Sequence, residues 1–247
     1  MKIVAAYSVK GGVGKTTAAV NLAWCASRDR RTLLWDLDPQ GGATFLLRVK
    51  PRAKGDAHAL VRGKTDLTDL VRPTEDKLLD VVPAHDSYRV LDLELDATKR
   101  PEKQLAKVLA SLGKRYQVVV LDCPPGMSLL SEAILTAADV IVVPLLPSPL
   151  SMRSLDQVRE LVAAVPRRRP QVMGFLSMVD RRKTIHRELA ERLPEEAPDV
   201  LPIVVPASAV VERMGVERSP LGVFAPRSAP ALAYAELWAA VRSGIDR

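Results

Sequence analysis

Eight residues, Lys10-Gly11-Gly12-Val13-Gly14-Lys15-Thr16-Thr17, constrain this chain more than any other stretch. An apolar run over 3–7, of strand length, precedes them. Residues 16–28 follow, with Ala19, Leu22, Ala23 and Ala26 at helical spacing. Strand, glycine turn and helix in that order make a cradle for phosphate. Glycines let the backbone curl until its N–H groups point inward. The helix starting behind them adds the positive end of its dipole. Lys15 is then placed to reach β- and γ-phosphates, and Thr16 to give its hydroxyl to Mg2+. Two lysines gathered in a glycine turn by chance would need neither flank. The strict pattern of such loops asks for glycine at position 9, where this chain has Val9 and then a second lysine, Lys10.

Two further runs end in carboxylates. Leu33-Leu34-Trp35-Asp36-Leu37-Asp38-Pro39-Gln40-Gly41-Gly42-Ala43-Thr44 ends a strand predicted over 32–36 in carboxylates. Val118-Val119-Val120-Leu121-Asp122-Cys123-Pro124-Pro125-Gly126 is an aliphatic strand that stops at an acid. The carboxyl ends of strands are where ligands sit in open α/β sheets. Asp122 there suits Mg2+, held through water. The Pro-Pro-Gly after it could sense a γ-phosphate. At Asp36, Asp38 and Asp122 alike, the competing reading is an acid that only caps a turn.

Hydrophobic residues make up 47% of the 247, and aromatic residues only 4%. The core must therefore be aliphatic, as buried parallel strands favour. Further strands are predicted over 79–83, 117–121, 140–144, 172–179 and 201–205. Helices are predicted around 57–61 and 67–71, and over 103–112, 131–137, 154–165 and 185–193. Tyr234, Trp238, Val241 and Ile245 keep the spacing of a last helix packed on a core. Residues 45–77 are the hardest to read. Alternating strand and helix signals give an α/β fold: a doubly wound, mostly parallel sheet with helices on both faces, one domain over 1–247. The apolar start is too short for a secretion signal, and no apolar run is long enough to span a membrane, so a cytoplasmic protein is expected. Cys25 and Cys123 read as reduced, buried thiols, and His58, His85 and His186 show no ligand spacing.

The loop, with lysine at 10 and no glycine at 9, resembles the deviant Walker A loop of the ParA/MinD family of ATPases. The resemblance spans nearly the whole chain. Asp36 to Thr44 is similar to that family's first switch, DxDPQGxAT. Met178-Val179-Asp180-Arg181-Arg182 is similar to its M-x-D-x-R segment, and Pro226-Arg227-Ser228 to a late P-R-S. By resemblance, ATP and Mg2+ are the cofactors. Lys10, Lys15 and Asp38 are catalytic: Lys10 crosses to the partner's nucleotide in a homodimer, and Asp38 orients the attacking water. Gly11, Gly12, Val13, Gly14 and Thr17 complete the nucleotide loop. Thr16, Asp36, Asp38 and Asp122 form the metal surroundings, and the segments around Asp180 and Pro206 wrap the adenine.

The resemblance implies an ATP-dependent dimer that grips DNA non-specifically. A ParB-like or adaptor protein would stimulate otherwise slow hydrolysis, so that DNA or another cargo is partitioned or positioned on the nucleoid. A net charge of +7 allows an acidic partner. Arg182 matches a DNA-gripping position. Ala207 and Val210 stand where relatives carry arginines, with Arg213 and Arg218 nearby to compensate. Arg167 to Arg169 could also help, or form a solvated turn. The alternative is a MinD-like regulator at a membrane or scaffold. Its usual basic amphipathic tail is not evident, because the last helix has only Arg242 and Arg247 as basic residues. An iron–sulfur relative would need cysteines beyond the switches, and the spacing of Cys25 and Cys123 is wrong for it.

Overall fold

The structure, a computed structural model, describes residues 1–50, 56–166 and 169–246. Arg167 and Arg168, and so most of the arginine run, lie outside the described residues. The described strands are β1 (Lys2–Ala6), β2 (Thr32–Asp36), β3 (Arg72–Pro73), β4 (Leu79–Val82), β5 (Val118–Asp122), β6 (Val140–Leu145), β7 (Gln171–Val179) and β8 (Val200–Pro206). They form one sheet in the order β3-β4-β2-β5-β1-β6-β7-β8. Neighbours are parallel throughout, except the β3–β4 pair at one edge. The central β5 is buried along its whole length, which explains its run of Val and Leu without polar alternation.

Helices cover both faces. In chain order they are α1 (Lys15–Ala26), α2 (Gly42–Leu46), α3 (Ala57–Val61), α4 (Leu67–Leu70), α5 (Leu91–Asp96), α6 (Pro101–Ala110) and α7 (Leu129–Ala137). After β6 come α8 (Pro149–Ala164), α9 (Thr184–Glu196), α10 (Ala209–Glu212), α11 (Met214–Glu217), α12 (Leu221–Phe224) and α13 (Ala229–Ile245). Alternation along β1 divides the interior in two. Ile3, Ala5 and Tyr7 join the cluster that contains Leu105, Ile134 and Leu155 from α6, α7 and α8. Val4 and Ala6 join the cluster that contains Leu22 of α1 and Leu237 and Trp238 of α13. The last helix is thus core packing: Tyr234, Trp238, Val241 and Ile245 are all buried, and Tyr234 meets Phe175 edge to face.

Several boundaries differ from the sequence reading. The helix expected over 154–165 begins five residues earlier, at Pro149, because proline suits the first helical position. The strand β3 is only two residues long and carries no pattern to detect. The helices α2, α5, α10, α11 and α12 are also additions, none longer than six residues. Both edge strands contain proline, Pro73 in β3 and Pro202 and Pro206 in β8.

Candidate nucleotide site

The loop over 10–17 leaves the carboxyl end of β1 at the centre of the sheet. Beside it, β2 and β5 end at the same level, with Asp36 opposite Asp122 in the ladder. The fold therefore brings together the three motifs that the sequence holds far apart. Gly12 and Gly14 take φ values of 71° and 98°, where a side chain would be strained. A Cβ on Gly14 would also stand 3.0 Å from Ser177 Oγ. Open space surrounds the Cβ positions of Gly11 and Gly12. Among the described residues no side chain caps the start of α1, so its first N–H groups have no side-chain partner.

The two lysines have different surroundings. Lys15 is buried, and its ammonium donates to the Lys10 carbonyl at 3.0 Å. Burial lowers its pKa, against the pull of Asp122, Cys123 and Asp38. Lys10 is half-buried, and its ammonium donates to the Leu150 carbonyl at 3.0 Å, in the first turn of α8.

Asp36 and Asp122 are wholly buried. Asp36 Oδ2 accepts from the Thr44 N–H at 2.8 Å and the Thr44 hydroxyl at 2.7 Å. Asp36 Oδ1 and both Asp122 oxygens are buried without a well-formed hydrogen bond. Burial pushes the Asp36 carboxyl up to about 6, against the Thr44 hydrogen bonds, and the Asp38 charge adds to the rise. Asp122 is pushed well above the usual carboxylate range by burial and by the Asp36 charge, which Thr16 and Lys15 only partly oppose. Such groups persist when a cation or its water shell satisfies them. Asp38 sits at the turn, its Oδ1 accepting from the Gln40 N–H at 2.9 Å. Among the described residues no trio of carboxylate, histidine or thiol ligands gathers. The donor set, hydroxyl plus remote carboxylates, fits Mg2+ that takes its remaining ligands from phosphate and water.

A recess of about 150 Å³ opens next to the loop, lined by Gly14, Thr17, Met178, Pro206, Ala207 and Tyr234 among others. Its apolar walls suit a flat base. Pro206 lines this recess, and Asp180 is not among its lining residues. Met178 is there instead, at φ 57°. Asp180 holds the Arg182 guanidinium with both oxygens, at 2.9 and 2.8 Å. The other arginines expected to meet DNA are also engaged. Arg213 pairs with Glu217 at 2.6 Å, and Arg218 donates to the Phe45 carbonyl and lies over the Phe45 ring. A larger cavity, about 420 Å³ between α1, α2 and α12, is lined by Trp24, Arg48 and Arg218 and lies apart from the loop.

Missed by the sequence reading were Thr44 as the ligand of Asp36, Leu150 as the seat of Lys10, and Met178. Thr44 and Met178 both lay inside quoted motifs, Met178 as the first residue of the M-x-D-x-R segment. Leu150 has no signal short of the fold.

Fold and loop together define a P-loop nucleotide-binding protein with a doubly wound parallel sheet. The AAA domain family model matches residues 1–173. The sporulation initiation inhibitor protein Soj of Bacillus subtilis is 31% identical over 96% of this chain and 96% of its own length. The chromosome partitioning protein ParA of Myxococcus xanthus is 34% identical over 78% of this chain and 70% of its own. Among solved structures, cobyrinic acid a,c-diamide synthase from Mycobacterium smegmatis, with bound ATP analog and magnesium, superposes with a TM-score of 0.80 at 25% identity, covering 98% of this chain and 94% of that one. The Cyanothece McdA(D38A)-ATP complex shares the fold, with a TM-score of 0.83 at 20% identity over 100% and 96% of the two chains. The chain belongs to the ParA/MinD family of P-loop ATPases. No helix among the described residues is long and apolar enough to cross a membrane.

Proposed function

We propose that this chain binds Mg-ATP, closes into a homodimer around two nucleotides, and hydrolyses ATP slowly until a partner protein stimulates it. Residues 1–247 act as one ATPase domain. The dimer binds DNA without sequence preference, on the nucleoid in the cytoplasm, and the cycle partitions or positions DNA or another cargo.

The observation that carries this reading is the contrast between two lysines on one loop. Lys15 is only 6% exposed and faces the chain's own cradle. Lys10 is half-buried, and among the described residues its ammonium has a single hydrogen bond, to the Leu150 carbonyl. A lysine that serves its own phosphates must be fixed inside. One that reaches the phosphates of a second copy must be free to leave, and a single exposed hydrogen bond is a weak restraint. Thr16 would give its hydroxyl to Mg2+, with Asp122 and Asp36 in its surroundings. Bound Mg2+ neutralises phosphate charge. Asp38, with one oxygen on the Gln40 amide, has the other to orient the attacking water. Pro206 and Met178 sandwich the base.

The test is light scattering of the wild type, Lys10→Ala and Lys15→Ala proteins with a non-hydrolysable ATP analogue, alongside calorimetry. The wild type should dimerise. Lys10→Ala should bind the analogue yet stay monomeric. Lys15→Ala should not bind. A wild-type protein that remains monomeric with analogue bound would overturn the dimer.

A further inference from the structure

Gly126, four residues beyond Asp122, is held from three sides. Its N–H donates to the Val9 carbonyl at 3.0 Å. Its own carbonyl accepts from the Tyr7 hydroxyl at 2.8 Å and from the Ser131 hydroxyl at 3.0 Å. Tyr7 follows β1, is wholly buried, and belongs to the apolar cluster of Cys123, Leu130 and Ile134. Burial raises the pKa of its phenol, which is therefore present as a donor at neutral pH. Ser131 lies in the first turn of α7, where it also completes a capping box with Ser128.

The N–H and the carbonyl of Gly126 belong to different peptide planes. Rotation at the Gly126 Cα can swing one plane while the other stays fixed. At φ 106° the residue is in a region that only glycine visits freely, so this joint is compliant. Two hydroxyl donors pin the plane after Gly126. A single bond, to Val9, holds the plane before it, and Val9 adjoins Lys10 at the mouth of the phosphate loop. The two planes are therefore unequally anchored beside the site.

We propose that Tyr7 is a positioning residue for ATP hydrolysis. Its hydroxyl, with that of Ser131, fixes the Gly126 carbonyl as a pivot, so that the Gly126 N–H exchanges the Val9 carbonyl for the terminal phosphate of ATP. The inference rests on reading the loop as an ATP site. It extends that reading by tying the segment after Asp122 to a side chain that precedes the loop. Phenylalanine would fill the same space but could not hold the carbonyl.

The experiment compares wild type, Tyr7→Phe, Ser131→Ala and the double variant in steady-state ATP hydrolysis. Amide hydrogen exchange of the 123–127 segment is followed in parallel. In Tyr7→Phe, kcat should fall about fivefold, the effect of one lost hydrogen bond on a barrier, with KM for ATP unchanged. Exchange at Gly126 should quicken in the nucleotide-free protein. The double variant should lose more than either single variant, since no hydroxyl then holds the carbonyl. A kcat unchanged in Tyr7→Phe, or a loss confined to KM, overturns the pivot. Wild type without turnover would instead sink the ATPase reading, so the two failures are distinguishable.

Discussion

Thr44 carries no charge, yet three hydrogen bonds around the site depend on it. It gives its N–H and its hydroxyl to Asp36, and its hydroxyl oxygen accepts the Ala84 N–H at 2.8 Å. Thr44→Val would leave a buried carboxylate and a buried amide short of partners. It should cost about 2 kcal/mol in a urea unfolding titration, and calorimetry should show weaker Mg-ATP binding as Asp36 loses its orientation. Asp38→Ala should have the opposite profile: ATP affinity kept, turnover reduced about 100-fold or more as a water-orienting group is lost, and the ATP-bound dimer accumulating. Unchanged phosphate release would remove Asp38 from the chemistry. At this scale the sequence was most readable where a site is made by consecutive residues. The phosphate loop needs only its own eight positions and the elements on either side. Met178 and Leu150 meet the loop from 164 and 140 residues away in the chain, a proximity that only the sheet order creates.

Among elements, the long helices and central strands were legible because each buries a periodic apolar face. The helix α13 repeats its pattern over four turns, and β5 is an unbroken aliphatic run up to Asp122. Of the short pieces, α3 and α4 fall where helices were expected, but α2, α5, α10, α11 and α12 were not foreseen, since four to six residues give little period to recognise. The helix α12 is such a piece. It is fastened to α1 by the Leu221 N–H on Asn21 Oδ1 at 2.9 Å, and it lays Gly222 directly on the Trp24 ring. A Cβ on Gly222 would stand 2.0 Å from that ring. Gly222→Ala should therefore push α12 off α1 and cost about 1–3 kcal/mol, as overpacking does. An unaltered denaturation midpoint would mean that Trp24 turns aside without cost.

For the molecule as a whole, affinity for DNA depends on how many phosphate contacts can be made at once. The net charge of +7 favours it. Against it, Arg182 spends one edge of its guanidinium, Nε and Nη2, on Asp180, although its side chain is 90% exposed. Such exposed pairs are worth at most about 1 kcal/mol and exchange readily with another anion. Binding to unrelated duplexes should therefore need ATP and Lys10, because a dimer doubles the contacts, and it should weaken steeply as salt rises. Arg182→Ala should weaken it for all sequences alike. An ATP-bound dimer with no affinity for any duplex at low salt would shift the proposal to a protein scaffold or membrane surface.

The prolines at both sheet edges bear on how copies crowd together. A protein gathered at high density on a long polymer risks joining its neighbours strand to strand, a process that no nucleotide controls. Pro73 at one edge, and Pro202 and Pro206 at the other, have no N–H to offer a ninth strand. Lateral growth into fibres is thereby discouraged on both flanks. Contact between copies is then expected at the loop end of the sheet, where the proposed ATP cycle would both make and undo it.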